Sequence, residues 1–172
     1  AAALARGPFI LGMKFTFGPA APDPQACALK PLTVMQRAQA AGPPAPDSWY
    51  RASSVVCSVP VLAAAAKRQG FLNVGLDSDG VLRRAPLLIK YQGRLYPCLA
   101  LAAYLQLRGS SQLMVHLSEL GAQAVQVRGN LIPVDARARV LINYRGTARA
   151  FKPVSAADIL EGKVAQEAIR GK

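Results

Sequence analysis

From Gly70 to Leu88 the chain runs Gly-Phe-Leu-Asn-Val-Gly-Leu, then Asp77-Ser78-Asp79-Gly80, then Val-Leu-Arg-Arg-Ala-Pro-Leu-Leu. Apolar residues on both sides of a short Asp/Gly turn predict a β-hairpin, with strands over 71–76 and 81–91. Asp77 and Asp79 are expected to accept backbone hydrogen bonds in the turn, and Gly80 to supply a positive φ. A second turn is expected at Gln92-Gly93. Tyr96-Pro97 then opens a helix over Leu99–Arg108 that is apolar on nearly every face and so expected to be buried.

The remaining segments alternate without strict βα order. Phe9–Phe17 reads as a strand that stops at Gly18-Pro19. Pro19, Pro22 and Pro24 make 18–29 a loop, because each proline removes a ladder donor and fixes φ. Thr33–Ala41 is read as a short helix ended by Gly42-Pro43-Pro44-Ala45-Pro46. Ala52–Cys57 is a strand candidate. Ser58 is expected to cap a helix over Val61–Gln69, with Gly70 as the residue just past its end. Ser110–Gly121 is read as partly helical. Strands are expected at Val125–Arg128, Leu131–Pro133 and Val140–Tyr144, with Gly129-Asn130 as a tight turn. Ser155-Ala156-Ala157-Asp158 resembles a capping box for a helical turn over Ile159–Glu161 that Gly162 stops, and Ala165–Arg170 is read as one more turn. The pattern predicts an α/β or α+β fold: one domain, with a mixed β-sheet, a β-hairpin and flanking helices.

A length of 172 residues, 52% of them hydrophobic, suits one domain with a sizeable core. The net charge is +12, from 21 Lys+Arg against 9 Asp+Glu. The basic residues are scattered, with adjacent pairs only at Lys67-Arg68 and Arg83-Arg84, so nucleic-acid binding is disfavoured. The apolar runs Val59–Ala66 and Pro97–Leu105 fall short of the ~18 residues of a membrane span. Cys27, Cys57 and Cys98 show no Cys-x-x-Cys spacing, and with His116 the sole histidine, a zinc site is disfavoured. Cys27 and Cys57 are either disulfide-bonded, in an oxidising compartment, or unpaired thiols, and the unpaired state is preferred.

Little in the chain has the makings of catalysis. His116 stands in Met114-Val115-His116-Leu117 with no recognisable partner and is expected to be structural. No nucleophile elbow, P-loop or dinucleotide-binding glycine pattern occurs. An EF-hand-type loop counted from Asp77 would place Leu88 where a carboxylate is required, so no metal is expected. Arg83 and Arg84 should point to opposite faces of a strand, one toward solvent or a ligand and the other either paired, with Asp77 or Asp79 as candidates, or snorkelling past the sheet. A structural salt bridge is the preferred role for at least one. Asn143 and Arg145 should share one face at the end of another strand, with Tyr144 opposite. There they would either bind an anion or carboxylate or cap neighbouring helices.

These segments, in their order, resemble the type-two CHASE family, the second family of cyclase/histidine-kinase-associated sensory extracellular domains. The resemblance rests on Gly70-Phe71-x-Asn73, on Asp77-x-Asp79-Gly80-Val81-x-Arg83-Arg84-x-Pro86-Leu87 and on Gly93-x-x-Tyr96-Pro97-x-Leu99-Ala100-Leu101. It continues through Ile132-Pro133-x-Asp135, Leu141-Ile142-Asn143-Tyr144-Arg145-Gly146 and Ser155-Ala156-Ala157-Asp158-Ile159-Leu160-x-Gly162. It is best over 52–172 and looser over 1–51. It implies a non-enzymatic input domain at the periplasmic or outer face of the bacterial inner membrane. Such domains are joined by transmembrane helices to a cytoplasmic nucleotide cyclase, histidine kinase, serine/threonine kinase or diguanylate cyclase. The family's opening strand and helix, and a Val/Ile-rich strand expected after Lys172, are missing, so the chain is expected to be part of a longer protein. The signal is an unidentified small molecule or environmental cue, and no cofactor is expected. Arg83, Arg84, Asn143 and Arg145 are the candidate ligand contacts. The alternative is an interaction module, such as a homodimerisation domain, that binds nothing small.

Overall fold

The computed structural model describes residues 1–19, 27–38, 49–146 and 153–169. In chain order the elements open with α1 (Ala2–Arg6), β1 (Ile10–Thr16), β2 (Thr33–Ala38) and β3 (Ser54–Val56). Then come α2 (Pro60–Ala65), β4 (Arg68–Phe71), β5 (Arg84–Pro86), β6 (Leu88–Tyr91), β7 (Arg94–Pro97) and α3 (Leu99–Leu107). β8 (Gln112–Ser118), β9 (Gly121–Val127), β10 (Asn130–Pro133), β11 (Arg139–Leu141), α4 (Ala156–Leu160) and α5 (Gln166–Ile169) complete the order. The fold is mixed α/β, and the strands form several small sheets rather than one.

Two units are distinguished, Ala1–Ile142 and Asn143–Lys172. In the first, β1 is the centre of a mixed sheet in the order β3-β1-β4, antiparallel to β3 and parallel to β4. A four-stranded sheet runs β10-β9-β8-β2, with β2 parallel to β8. β6 and β7 form a hairpin at the expected Gln92-Gly93 turn, and β11 pairs with β5. The β9–β10 hairpin turns at Arg128-Gly129, where φ is 45° and 86°. Two successive positive φ values are what a two-residue hairpin turn requires, and glycine meets the second without a Cβ penalty.

The core forms where these small sheets meet. Phe15 of β1 lies 6.0 Å from Phe71, 5.5 Å from Tyr91 and 5.4 Å from Tyr96, ring centre to ring centre. Leu88, Ile89, Leu101 and Leu105 continue it, as do Leu113, Val115, Val125 and Val127 from β8 and β9. In β8 buried residues alternate with more exposed ones from Leu113 to Leu117, the period-2 signature of a half-buried strand. His116 belongs to the other face of β8 and hydrogen-bonds Gln126 Oε1 at 2.8 Å, a structural role as expected.

Several expected elements differ, each because a tertiary partner overrides local preference. Thr33–Ala38 is a strand, not a helix, since its whole length pairs with β8. Residues 39–41, like the Gly42–Pro46 cluster, lie outside the described residues. Residues 112–118 are strand β8 rather than partly helical. The helix after Ser58 begins at Pro60, with Val59 rather than Ser58 at its N-cap, and ends at Ala65. Arg68–Phe71 is drawn into β4 beside β1 instead. Gly70 is therefore no helix terminator but a close-packing point: a Cβ there would stand 2.6 Å from Leu99 Cα. The 71–76/81–91 hairpin does not form. Of the first half only Phe71 is in a strand, beside β1. The second half divides into β5, which pairs with β11, and β6, which pairs with β7, and residues 72–83 contain no strand.

Cys27 and Cys57 are disulfide-bonded, with Cα atoms 6.1 Å apart, contrary to the preferred unpaired state. Beside this bridge the buried amide of Gln69 accepts from Lys30 N and donates to the Ala28 and Ala63 carbonyls. A buried amide with its oxygen and nitrogen both engaged is stabilising, and here it ties residues 27–30 to β4. Cys98 is a buried free thiol whose Sγ accepts from Leu101 N and caps α3, and burial pushes its pKa up.

In the second unit Ser155 caps α4 through the Asp158 N–H, as the capping-box reading predicts. Gly162 follows at φ 68°, and Lys163 pairs with Glu161 at 2.5 Å.

Candidate functional site

The Asp77–Val81 turn closes on itself. Asp77 N–H donates to Val81 O and Gly80 N–H to Asp77 O, both at 2.9 Å, and Asp79 Oδ1 accepts from Val81 N at 3.2 Å. Gly80 has φ 80°, as expected. Arg83 Nη1 lies 2.8 Å from Asp79 and 3.6 Å from Asp77. Arg84 Nη1 reaches both Asp77 oxygens at 3.2 Å. The two arginines thus share Asp77 instead of pointing apart, because Arg83 precedes β5 and is not held to a strand's alternation. The Arg83 hydrogen bond, helped by that from Val81 N, holds the Asp79 carboxyl below its ordinary value.

A second aspartate turn stands close by. Asp135 Oδ1 accepts from the N–H groups of Arg137 and Arg139, and Asp135 Oδ2 from Arg139 Nε at 2.6 Å. Ala138, at φ 58° and fully buried, sits at the bend, and its carbonyl accepts from Leu87 N. The β5–β11 register puts Arg139 opposite Pro86 and Leu141 opposite Arg84. Burial alone would lower the pKa of Arg139. The hydrogen bond and charge of Asp135, with Tyr50 and Asp77 nearby, outweigh it and raise the value.

Between these turns lies a cleft of about 390 Å³. Arg84 and Arg139 line it together with Phe17, Tyr50, Val74, Pro86 and Ile89. Phe17 and Tyr50 meet edge to face at 6.3 Å, and the Arg137 guanidinium stands 5.9 Å over the Tyr50 ring. Asn73 forms another part of the wall. Its Oδ1 accepts from Phe15 N and its Nδ2 donates to Phe15 O, both at 2.7 Å. The side-chain amide thus takes the place of a neighbouring strand and fixes residues 73–75 against β1.

Two further clefts are of similar size. Beside Lys30, Lys67 and Arg68, Lys30 Nζ donates to the Ala64 and Ala66 carbonyls and Arg68 Nη2 to Ser110 O. Around Met35, Met114 and Arg128, Arg128 Nη2 donates to Gly109 O.

Of the expected site residues, Asp77, Asp79, Gly80, Arg83 and Arg84 come together, and Arg84 alone of them lines the cleft. Asn143 and Arg145 lie in the second unit and are exposed. Their shared strand face does not exist, because β11 ends at Leu141, and Ile142 N–H to Arg83 O is the last bond of that pairing. Sequence reasoning missed Arg139, Tyr50 and Phe17. Asp135 and Arg139 stand four apart, a spacing that could have flagged the second clasp.

Comparison with known families places the chain among sensory, non-catalytic domains that face the outside of the cell. The family is that of the CHASE2 domain, whose sequence model matches residues 1–172, and the chain belongs to it. The match takes in residues 1–51 as well as the better-recognised remainder. No curated protein and no solved structure matches the chain. Among the described residues no helix is long and apolar enough to cross a membrane.

Proposed function

We propose that the chain is the input domain of a bacterial transmembrane receptor. It would face the periplasm and relay a signal through membrane helices to a cytoplasmic nucleotide cyclase or a histidine or serine/threonine kinase. The observation that carries this reading is the CHASE2 match over the whole chain. The Cys27–Cys57 disulfide supports it, since disulfides persist in oxidising compartments. The domain works by stabilising one of two arrangements, so its signal must bind them with different affinity. Arg84 is the contact we favour, because it edges the cleft. Arg83, Asn143 and Arg145 remain secondary candidates.

The test is output from the full receptor. Arg84→Ala should change signal-dependent cyclase or kinase activity while the domain keeps its melting temperature within a few degrees. Arg83→Ala, Asn143→Ala and Arg145→Ala, assayed alongside, sort the secondary candidates. Loss of folding with Arg84→Ala would make that residue structural. The competing reading is homodimerisation without a small ligand. It is favoured by Leu72, Val74 and Leu76, exposed at 56%, 62% and 65%. Concentration-dependent sedimentation that Leu72→Ser and Val74→Ser abolish, with no ligand-induced rise in melting temperature, would favour it.

A further inference from the structure

We propose that the cleft between the two aspartate turns binds a small organic monocarboxylate with an apolar body. The carboxylate would sit on Arg84 and Arg139, and the body against Phe17, Tyr50 and Ile89. The inference rests on the sensory reading above and names the class of its ligand.

The donors are available. A guanidinium carries five N–H groups in a planar fork. Asp77 takes two hydrogen bonds from Arg84, both through Nη1, and Asp135 takes one from Arg139, through Nε. The remaining N–H groups belong to side chains that line the cleft and are held by their aspartates. Such pre-oriented forks suit a carboxylate, whose two oxygens match their geometry.

The charge balance favours a monoanion. Among the described residues, the only charged ones that line the cleft are Arg84 and Arg139, and each is already paired with an aspartate, Arg84 with Asp77 and Arg139 with Asp135. With that positive charge partly answered, a single carboxylate suits the cleft better than a phosphate dianion, which would stand close to both aspartates. The walls select the body. The ring of Tyr50, the exposed ring of Phe17 and the buried Ile89 offer apolar surface, and Asn73 has both amide atoms committed to Phe15. At about 390 Å³ the space is near the lower end of the ~300–1,000 Å³ of ligand pockets, which restricts the guest to a small molecule.

The test titrates the 172-residue chain with benzoate, phenylacetate and isovalerate, with benzyl alcohol and inorganic phosphate as controls, following melting temperature and binding heat. At least one acid should raise the melting temperature, and neither control should match it. Arg84→Gln and Arg139→Gln should each weaken that acid about tenfold or more, the loss expected for a charge-assisted hydrogen bond. Arg84→Lys, which keeps the charge and loses the fork, should recover only part, and it serves should a glutamine variant not fold. The proposal is overturned by binding of none of the three acids, by phosphate binding as tightly, or by acid affinity unchanged in the arginine variants. Output from the full receptor separates the two claims. Acids that bind without altering output would sink the sensory reading and leave the site standing. A receptor that still answers another stimulus while no acid binds would do the reverse.

Discussion

Gly70–Asn73 and Asp77–Arg84 are neighbours in sequence and together made the chain's most recognisable segment, yet they are held by opposite means. The first is fixed by backbone and burial. Gly70 lies against Leu99, Phe71 is 1% exposed, and Asn73 is bonded through both amide atoms to β1. The second is fixed by charge close to the surface: the side chains of Arg83, Arg84 and Asp79 are 46%, 43% and 52% exposed, around an Asp77 that is 15% exposed. Ion pairs so exposed contribute little to stability, typically under about 1 kcal/mol. They do orient guanidiniums, however, which is what recognition of an anion needs. One stretch therefore supplies architecture in its first half and a binding edge in its second.

The sharpest way to break the contrast is Gly70→Ala. The new Cβ would stand 2.6 Å from Leu99 Cα and 2.8 Å from Leu99 N, backbone atoms that cannot swing aside. Overpacking of this kind costs about 3 kcal/mol or more, and chemical denaturation should show it. Asn73→Ala comes next. It strips partners from Phe15 N and O, at a cost of about 2 kcal/mol, and frees the cleft wall at 73–75. Arg84→Ala should cost less than about 1 kcal/mol of stability while removing a cleft donor. A larger loss than that of Asn73→Ala would erase the distinction between the halves.

The sequence revealed these parts unevenly, for physical reasons. Local chemistry was legible. The Asp77–Gly80 turn, the Gln92-Gly93 turn, α3 and the Ser155 cap all formed where expected, because each is satisfied within a few residues. Distant pairing was not. Thr33–Ala38 and Arg68–Phe71 became strands only because β8 and β1 were there to receive them, and no periodicity in six or four residues announces such a partner. The site shows the same divide. Arg84 was found beside its aspartate, whereas Arg139 joined it through β5–β11 pairing across more than fifty residues. Asn143 and Arg145 were chosen on a strand that β5, three residues long, could not extend so far.

The smallest expected effects concern pH, and they should fall on opposite sides of neutrality for the two halves. Asp79 has a folded pKa below its ordinary value, chiefly through Arg83. Its contribution is therefore present above about pH 3.9 and is lost as pH falls through the lower folded value. Asp79→Asn should lower the melting temperature slightly at neutral pH, and its curve should converge with that of the parent at strong acid. Cys98, bridged to Phe71 in the buried half, behaves inversely. Burial raises its pKa, so its contribution is complete below about pH 8.5 and is lost as pH rises toward the folded value. Tyr96, also raised chiefly by burial, adds to this loss above about pH 10. Cys98→Ser retains an acceptor for Leu101 N and has no thiol to ionise, so its melting curve should stay level between those two values while the parent's declines. A parent equally flat there, or an acid limb unchanged by Asp79→Asn, would show that the halves do not differ in what holds them.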